Sequence, residues 1–146
     1  MSVSSAITLA IAILGAVLGL LNTWNGINDR RVRLKVTPKW SLAPGFQGLA
    51  IEVVNLSAFP VTISEIGFTI GRSRGALPKR TAAMHQMVDG PQFPVRLERH
   101  HSFNATFIAD GLGRLDVRRA YALTTSGVIV KGNSPALRQY VRDHHS

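Results

Sequence analysis

The pattern of apolar and polar positions changes period once along the chain. Residues 6–21 carry no charge and one hydroxyl, Thr8, and their apolar side chains cover every side of a helical wheel. A helix without a polar face belongs in a core or in lipid. Counted from Val3 the run is 19 residues, about 28 Å at ~1.5 Å per residue, close to the ~30 Å hydrocarbon core of a bilayer. Ser4, Ser5 and Thr8 can return hydroxyl bonds to the helix backbone. Trp24 follows where an amphipathic ring meets headgroups. Asn22, Asn25, Gly26 and Asn28 then read as helix breakers, which makes 22–29 the one credible linker. No basic residue precedes the run, and Leu20-Leu21-Asn22-Thr23-Trp24 is a poor cleavage site, so an uncleaved anchor is expected over a cleaved signal.

From Val32 the period becomes two. Val32, Leu34 and Val36 alternate with Arg31, Arg33 and Lys35, a half-buried strand with a basic outer face. Residues 38–48 read as a loop turning at Pro44-Gly45. Leu49, Ile51 and Val53 share one side of a second strand, and Pro60 opens a third. Val61 and Ile63 have one parity, while Ile66, Phe68 and Ile70 have the other. That switch predicts a bulge near Ser64-Glu65. Residues 71–83 read as a long basic loop, 84–88 are ambiguous, and Asp89-Gly90-Pro91 is a turn. Val95 and Leu97 start a short strand, Phe103, Ala105 and Phe107 line another, and 109–115 is a loop or single turn. Residues 117–124 and 128–131 form a hairpin across Thr125-Ser126-Gly127. Ser134-Pro135 is an N-cap and first helical position, with Leu137, Tyr140 and Val141 on one helix face.

About seven short strands without helical crossovers favour an antiparallel sandwich over an α/β fold. The expected fold is mainly β: an N-terminal transmembrane helix and linker (1–29), then an antiparallel immunoglobulin-like β-sandwich with a short C-terminal helix (30–146).

Charge then orients the chain. All 17 Lys and Arg lie from Arg30 onward, against 8 acids in the whole sequence, for a formal net charge of +9. Arg30, Arg31, Arg33, Lys35 and Lys39 follow the apolar run within about 20 residues, and the positive-inside rule puts that side in the cytoplasm with the N-terminus outside. The reverse, an exported domain, is the alternative. Trp24, Arg30, Arg31, Arg33 and Lys35 are the membrane-interface residues, each cation near anionic lipid contributing about 1 kcal/mol. Within the helix, Gly15 and Gly19 form a G-x-x-x-G, and Thr8, Ala12 and Ala16 an adjacent small-residue line. Together they suit packing against a transmembrane helix of another copy or another subunit.

Val53-Val54-Asn55-Leu56-Ser57-Ala58-Phe59-Pro60-Val61-Thr62-Ile63-Ser64-Glu65-Ile66-Gly67-Phe68, then Pro94-Val95-Arg96-Leu97 with Ser102-Phe103, and Val117-Arg118-Arg119-Ala120-Tyr121, carry a resemblance. The chain resembles a loose group of small uncharacterised bacterial proteins with one membrane anchor and an immunoglobulin-like β domain. Members often have Pro-Gly in the turn before the Ser, where this chain has Arg99-His100-His101. The resemblance implies the fold and no activity.

Chemistry is sparse. The chain has no cysteine, which excludes disulfide scaffolds, iron–sulfur sites and thiol enzymes. The five histidines match no metal-ligand spacing, and the carboxylates form no paired acid–base cluster. No phosphate-loop or nucleophile-elbow motif is present. Neither a cofactor nor catalysis is expected. Asn55-Leu56-Ser57 and Asn104-Ala105-Thr106 match glycosylation acceptors, which matter only in an exported domain. Arg72, Arg74, Lys79 and Arg80 form a candidate loop for an acidic partner. They can also track nucleic-acid phosphates, but no base-stacking strand or recognition helix accompanies them. The expectation is a non-catalytic, membrane-anchored scaffold that docks a protein partner, an accessory subunit of a larger complex. A membrane-tethered nucleic-acid binder and a domain displayed on a cell or virion surface are the alternatives.

Overall fold

The computed structural model describes residues 2–43, 46–71, 79–82, 87–108, 112 and 116–144. It divides into two compact units, 1–31 and 32–146.

The first unit is the helix α1, Val3–Asp29. Its 27 residues span about 40 Å. The expected linker is therefore wrong: Asn22, Asn25 and Gly26 continue the helix. Such residues cost only about 0.5–1 kcal/mol each inside a helix, and a break needs another partner for the freed backbone groups. Thr23 instead donates its hydroxyl to the Gly19 carbonyl (2.9 Å). The last turn closes when Arg30 N–H bonds the Ile27 carbonyl (3.3 Å), the tightened i→i+3 ending common at helix termini.

The second unit holds nine described strands: β1 Leu34–Ala43, β2 Phe46–Asn55, β3 Val61–Ile70, β4 Lys79–Ala82, β5 Met87–Asp89, β6 Val95–Leu97, β7 Ser102–Ile108, β8 Val117–Thr124 and β9 Ile129–Gly132. A C-terminal helix, α2, runs Pro135–His144. Two expected loops are strand instead. Residues 38–43 and 46–48 extend the β1–β2 hairpin, with Ala43 opposite Phe46; the expected Pro44-Gly45 turn lies outside the described residues. Pro38 is tolerated because β1 is an edge strand, where a missing N–H need not interrupt the ladder. Residues 79–82 are β4, paired antiparallel to β3.

All pairings are antiparallel. One sheet runs β1-β2-β7-β5; the other runs β4-β3-β8-β9, with β6 also on β3. Inward residues form rows across the first sheet: Trp40, Leu49 and Phe107, then Pro38, Ile51 and Ala105, then Val36, Val53 and Phe103. In the second sheet the expected bulge is present, as a register shift between Ile63 and Glu65. It turns Ile66 and Phe68 to the same core that Val61 and Ile63 line. Small residues face large ones there: Ala122 lies opposite Ile66 and Ala120 opposite Phe68. The Phe68 ring crosses to the other sheet and meets Phe107 edge-on at 5.6 Å. Such a contact contributes about 0.5–1.5 kcal/mol beyond its area.

Two features join the outer strands β1 and β9. Gly132, at the end of β9, presses against the backbone of Val36, and a Cβ there would overlap the Val36 carbonyl. Helix α2 follows, capped by Ser134 Oγ on the Leu137 N–H (3.2 Å). As expected, α2 buries Leu137 and Tyr140 with Val141 beside them. The Tyr140 ring meets Trp40 edge-on at 5.9 Å.

Replacing Gly132 with Ala has to push β1 and β9 apart. The variant is expected to lose about 1–3 kcal/mol, read as a melting temperature roughly 5–10 °C lower by circular dichroism of the detergent-solubilised chain.

Candidate functional site

The helix and the start of the β domain carry most of the residues that the sequence singles out. At ~100° per helical residue, Thr8, Ala12, Gly15, Ala16, Gly19 and Thr23 fall within about 100° of one another. Val17 and Leu21 lie on the opposite side. The stripe is smooth: Cβ atoms built on Gly15 and Gly19 meet nothing within 4 Å. It is also satisfied, because Thr8 Oγ1 donates to the Ser4 carbonyl (2.9 Å) just as Thr23 does to Gly19. Every side chain described along α1 is exposed, including Trp24 at 69%. The segment Val3–Ile27 is long and apolar enough to cross a membrane.

Arg31, Arg33 and Lys35 do not share a strand, contrary to expectation. Arg31 belongs to the helical unit, and β1 begins at Leu34. Arg33 is held by its backbone instead. Its N–H donates to Ser57 Oγ (2.8 Å), and its carbonyl accepts from Leu56 N–H (2.7 Å) and the Ser57 hydroxyl (3.3 Å). The side chains of Arg33 and Lys35 are exposed, while Leu34 and Val36 between and beyond them are buried. Further along this face Lys39 pairs with Glu52 at 2.7 Å. A pair this exposed contributes at most about 1 kcal/mol. Arg30 is exposed in the helical unit. Of the proposed acidic-partner loop, Arg72 and Arg74 lie outside the described residues; Lys79 and Arg80 stand in β4 rather than in a loop.

The structure overturns one acceptor reading. Asn55 is fully buried. Its Nδ2 donates to the carbonyls of Phe59 (2.9 Å), Leu97 (3.0 Å) and Glu98 (3.3 Å), and its Oδ1 accepts from Ser57 N–H (2.9 Å). Its backbone also bonds His101 and His100. That second pair docks the turn at Arg99-His100-His101, where His100 has φ 59°. A side chain this occupied cannot accept a glycan in the folded domain. The other candidate, Asn104, is exposed on β7.

Sequence reasoning missed this knot because Asn-x-Ser is read first as an acceptor. The available signal was Asn55 ending a buried strand just before a turn, where a side chain replaces lost backbone partners. It missed Tyr121 as well, a buried residue whose hydroxyl donates to Glu65 across β8 and β3. Among the described residues no group of three or more His, Cys, Asp or Glu comes together; His100 and His101 are exposed on their turn. No protein-family model, curated protein or solved structure matches the chain.

Removing the Asn55 amide leaves Ser57 N–H and the Leu97 and Phe59 carbonyls without it. Asn55→Ala is expected to cost about 3 kcal/mol. Asn55→Asp is expected to be no better, because a carboxylate would face three carbonyl oxygens. Thermal melts of both variants beside an exposed control, Asn104→Ala, measure the difference; a melt within 2–3 °C of the parent for Asn55→Ala would remove the knot's role.

Proposed function

We propose that this chain is a non-catalytic, single-pass membrane-anchored interaction module, an accessory subunit whose immunoglobulin-like domain faces the cytoplasm and docks a protein partner. The observation that carries the reading is the apolar, wholly exposed segment Val3–Ile27 joined to a domain with its own core. The helix satisfies its backbone internally, as hydrocarbon requires. At ~37 Å the segment exceeds the ~30 Å core, which tilt or emergence at the headgroups absorbs. Trp24 then stands near the interface.

Strand order supports an immunoglobulin-like domain. Reading β1, β2, β3, β4, β5, β7, β8 and β9 as A, B, C, C′, D, E, F and G gives sheets A-B-E-D and C′-C-F-G. That is the immunoglobulin order, with β6 as an addition. The inter-sheet disulfide of antibody domains has no counterpart here, since the chain has no cysteine; Phe68 against Phe107 bridges the sheets instead.

Orientation rests on charge. Residues 1–29 hold no Lys or Arg, while 30–146 hold 17 against seven acids, a formal +10. Single cysteines at Ser2 and Ser146 test the orientation with an impermeant thiol reagent on intact cells. Only Ser2→Cys is expected to label; labelling of Ser146→Cys would reverse the assignment. Changing Arg30, Arg31, Arg33 and Lys35 together to Gln removes the nearest cations and is expected to give a mixed population in the same assay.

The stripe of small residues suits a partner helix. Gly15→Leu with Gly19→Leu is expected to weaken association several-fold in a membrane two-hybrid assay, and Leu21→Ala to leave it within error. Unchanged association of the double variant would return the stripe to ordinary membrane-helix composition.

A further inference from the structure

Four pieces of chain meet at the end where the β domain begins. The Arg33 carbonyl accepts from Leu56 N–H (2.7 Å), which ties the entering chain to the β2–β3 turn. Asn55 N–H donates to the His101 carbonyl (3.0 Å) and its carbonyl accepts from His100 N–H (2.9 Å), which adds the turn between β6 and β7. Thr125 N–H donates to the Thr62 carbonyl (3.0 Å), which adds the turn between β8 and β9. On the first and last of these turns Leu56 and Val128 are 47% and 38% exposed. On the middle one Arg99 is exposed, its Nε donating to His100 Nε2 (3.0 Å), and Lys35 is exposed one residue past Leu34. Among the described residues no carboxylate pairs with Arg99 or Lys35. Glu98, the acid on these turns, is taken up by Arg96 at 2.8 Å.

The tether limits what this end can meet. Asp29 ends α1, and Arg33 is held in the domain by Ser57. They are four residue steps apart, at most ~14 Å of chain. That stretch holds one acid and three arginines. With α1 in a bilayer, a tether this short keeps the entry end within reach of headgroups and meets them at high effective concentration. Leu42, 72% exposed, stands at the other end of β1, about 26 Å from Leu34 at ~3.3 Å per residue.

Single apolar tips among cations suit a lipid surface. Each tip enters the boundary between headgroups and acyl chains, and each cation finds its own mobile headgroup, so no matching shape is required. A nucleic-acid partner would leave Leu56 and Val128 unused. A peptide would need a continuous groove, and these side chains stand on separate turns. We propose that the entry end of the β domain is a lipid-contact surface, with Leu56 and Val128 inserted at the headgroup layer and Arg99 and Lys35 on anionic headgroups. The inference rests on reading α1 as a membrane anchor, and it gives the domain a second partner, the lipid of the leaflet it faces. Because the cations are exposed, the contact weakens with salt.

The chain has no cysteine, so one thiol-reactive dye reports one chosen position. Full-length Leu56→Cys and Leu42→Cys, each labelled with a nitrobenzoxadiazole dye, are reconstituted in phosphatidylcholine nanodiscs with or without about 30% phosphatidylglycerol. A nitroxide lipid, spin-labelled close to its headgroup, reports proximity by quenching. With phosphatidylglycerol present, the dye at 56 is expected to be quenched about twofold and shifted to the blue. The dye at 42 is expected to match its value in discs without nitroxide. Omitting phosphatidylglycerol, or raising salt from about 50 to 250 mM, is expected to remove most of the quenching at 56. Arg99→Gln with Lys35→Gln is expected to do the same at low salt, with an unchanged thermal melt. Equal quenching at the two positions, none at 56, or quenching at 56 that ignores both phosphatidylglycerol and the Gln pair overturns the proposal. A chain that leaves the discs on gel filtration overturns the anchored reading and the lipid contact with it. A chain that stays in them with position 56 unquenched overturns the lipid contact alone.

Discussion

A fully buried amide is costly unless both its ends are bonded, and Asn55 meets that condition by drawing three chain segments together. Its Nδ2 reaches the Phe59 carbonyl in the turn before β3 and the Leu97 carbonyl at the end of β6, and its Oδ1 holds Ser57. Ser57 in turn clasps Arg33 from both sides. The chain therefore enters the domain along a fixed path, with Arg33 and Lys35 outward and Leu34 and Val36 inward. Without the amide the β2–β3 turn and the end of β6 would lose their common point.

From that end the core builds by complementary size. Phe68 needs the room left by Ala120 beside it and the ring of Phe107 across from it. A larger residue at 120 or 122 would force the sheets apart, since close-packed interiors accommodate extra methylenes badly. At the β1 and β9 edges the absence of a side chain at Gly132 does the same work, and α2 fills the remaining gap with Leu137 and Tyr140. The inner face of the helix closes the core, and Arg138 and Arg142 stand exposed on its outer face.

The helix α1 answers to different physics. Its Thr8 and Thr23 hydroxyls are turned back on helix carbonyls, and its described side chains are exposed. Burial cannot stabilise it in water, so an apolar solvent or another helix must. The β domain has the opposite character, with its apolar residues inside and its cations outside. The candidate residues accordingly fall into two groups, one in each unit, and form no single constellation.

The sequence by itself determined what depends on local pattern. Sixteen uncharged residues from Ala6 predict a helix with no polar face, and alternation at Leu49, Ile51 and Val53 places one strand face inward. The parity switch after Ile63 required a bulge, and Ser134-Pro135 with Leu137, Tyr140 and Val141 required a capped amphipathic helix. These are short-range rules of period and capping, and each is met. The strands at 38–43 and 79–82 were not legible, because weak local preferences there yield to backbone pairing with a neighbouring strand; the end of α1 was not legible because Asn and Gly disfavour a helix too weakly to break one that continues through them. Nor was the role of Asn55, whose acceptors at Leu97 and Glu98 are more than 40 residues away. The gathering of turns at the entry end was invisible for the same reason. Leu56, Arg99 and Val128 lie on different turns, and only strand pairing brings those turns to one end of the domain. Local pattern decides which face of an element is apolar; only the tertiary fold decides which elements share that face and what charge is left at its edge.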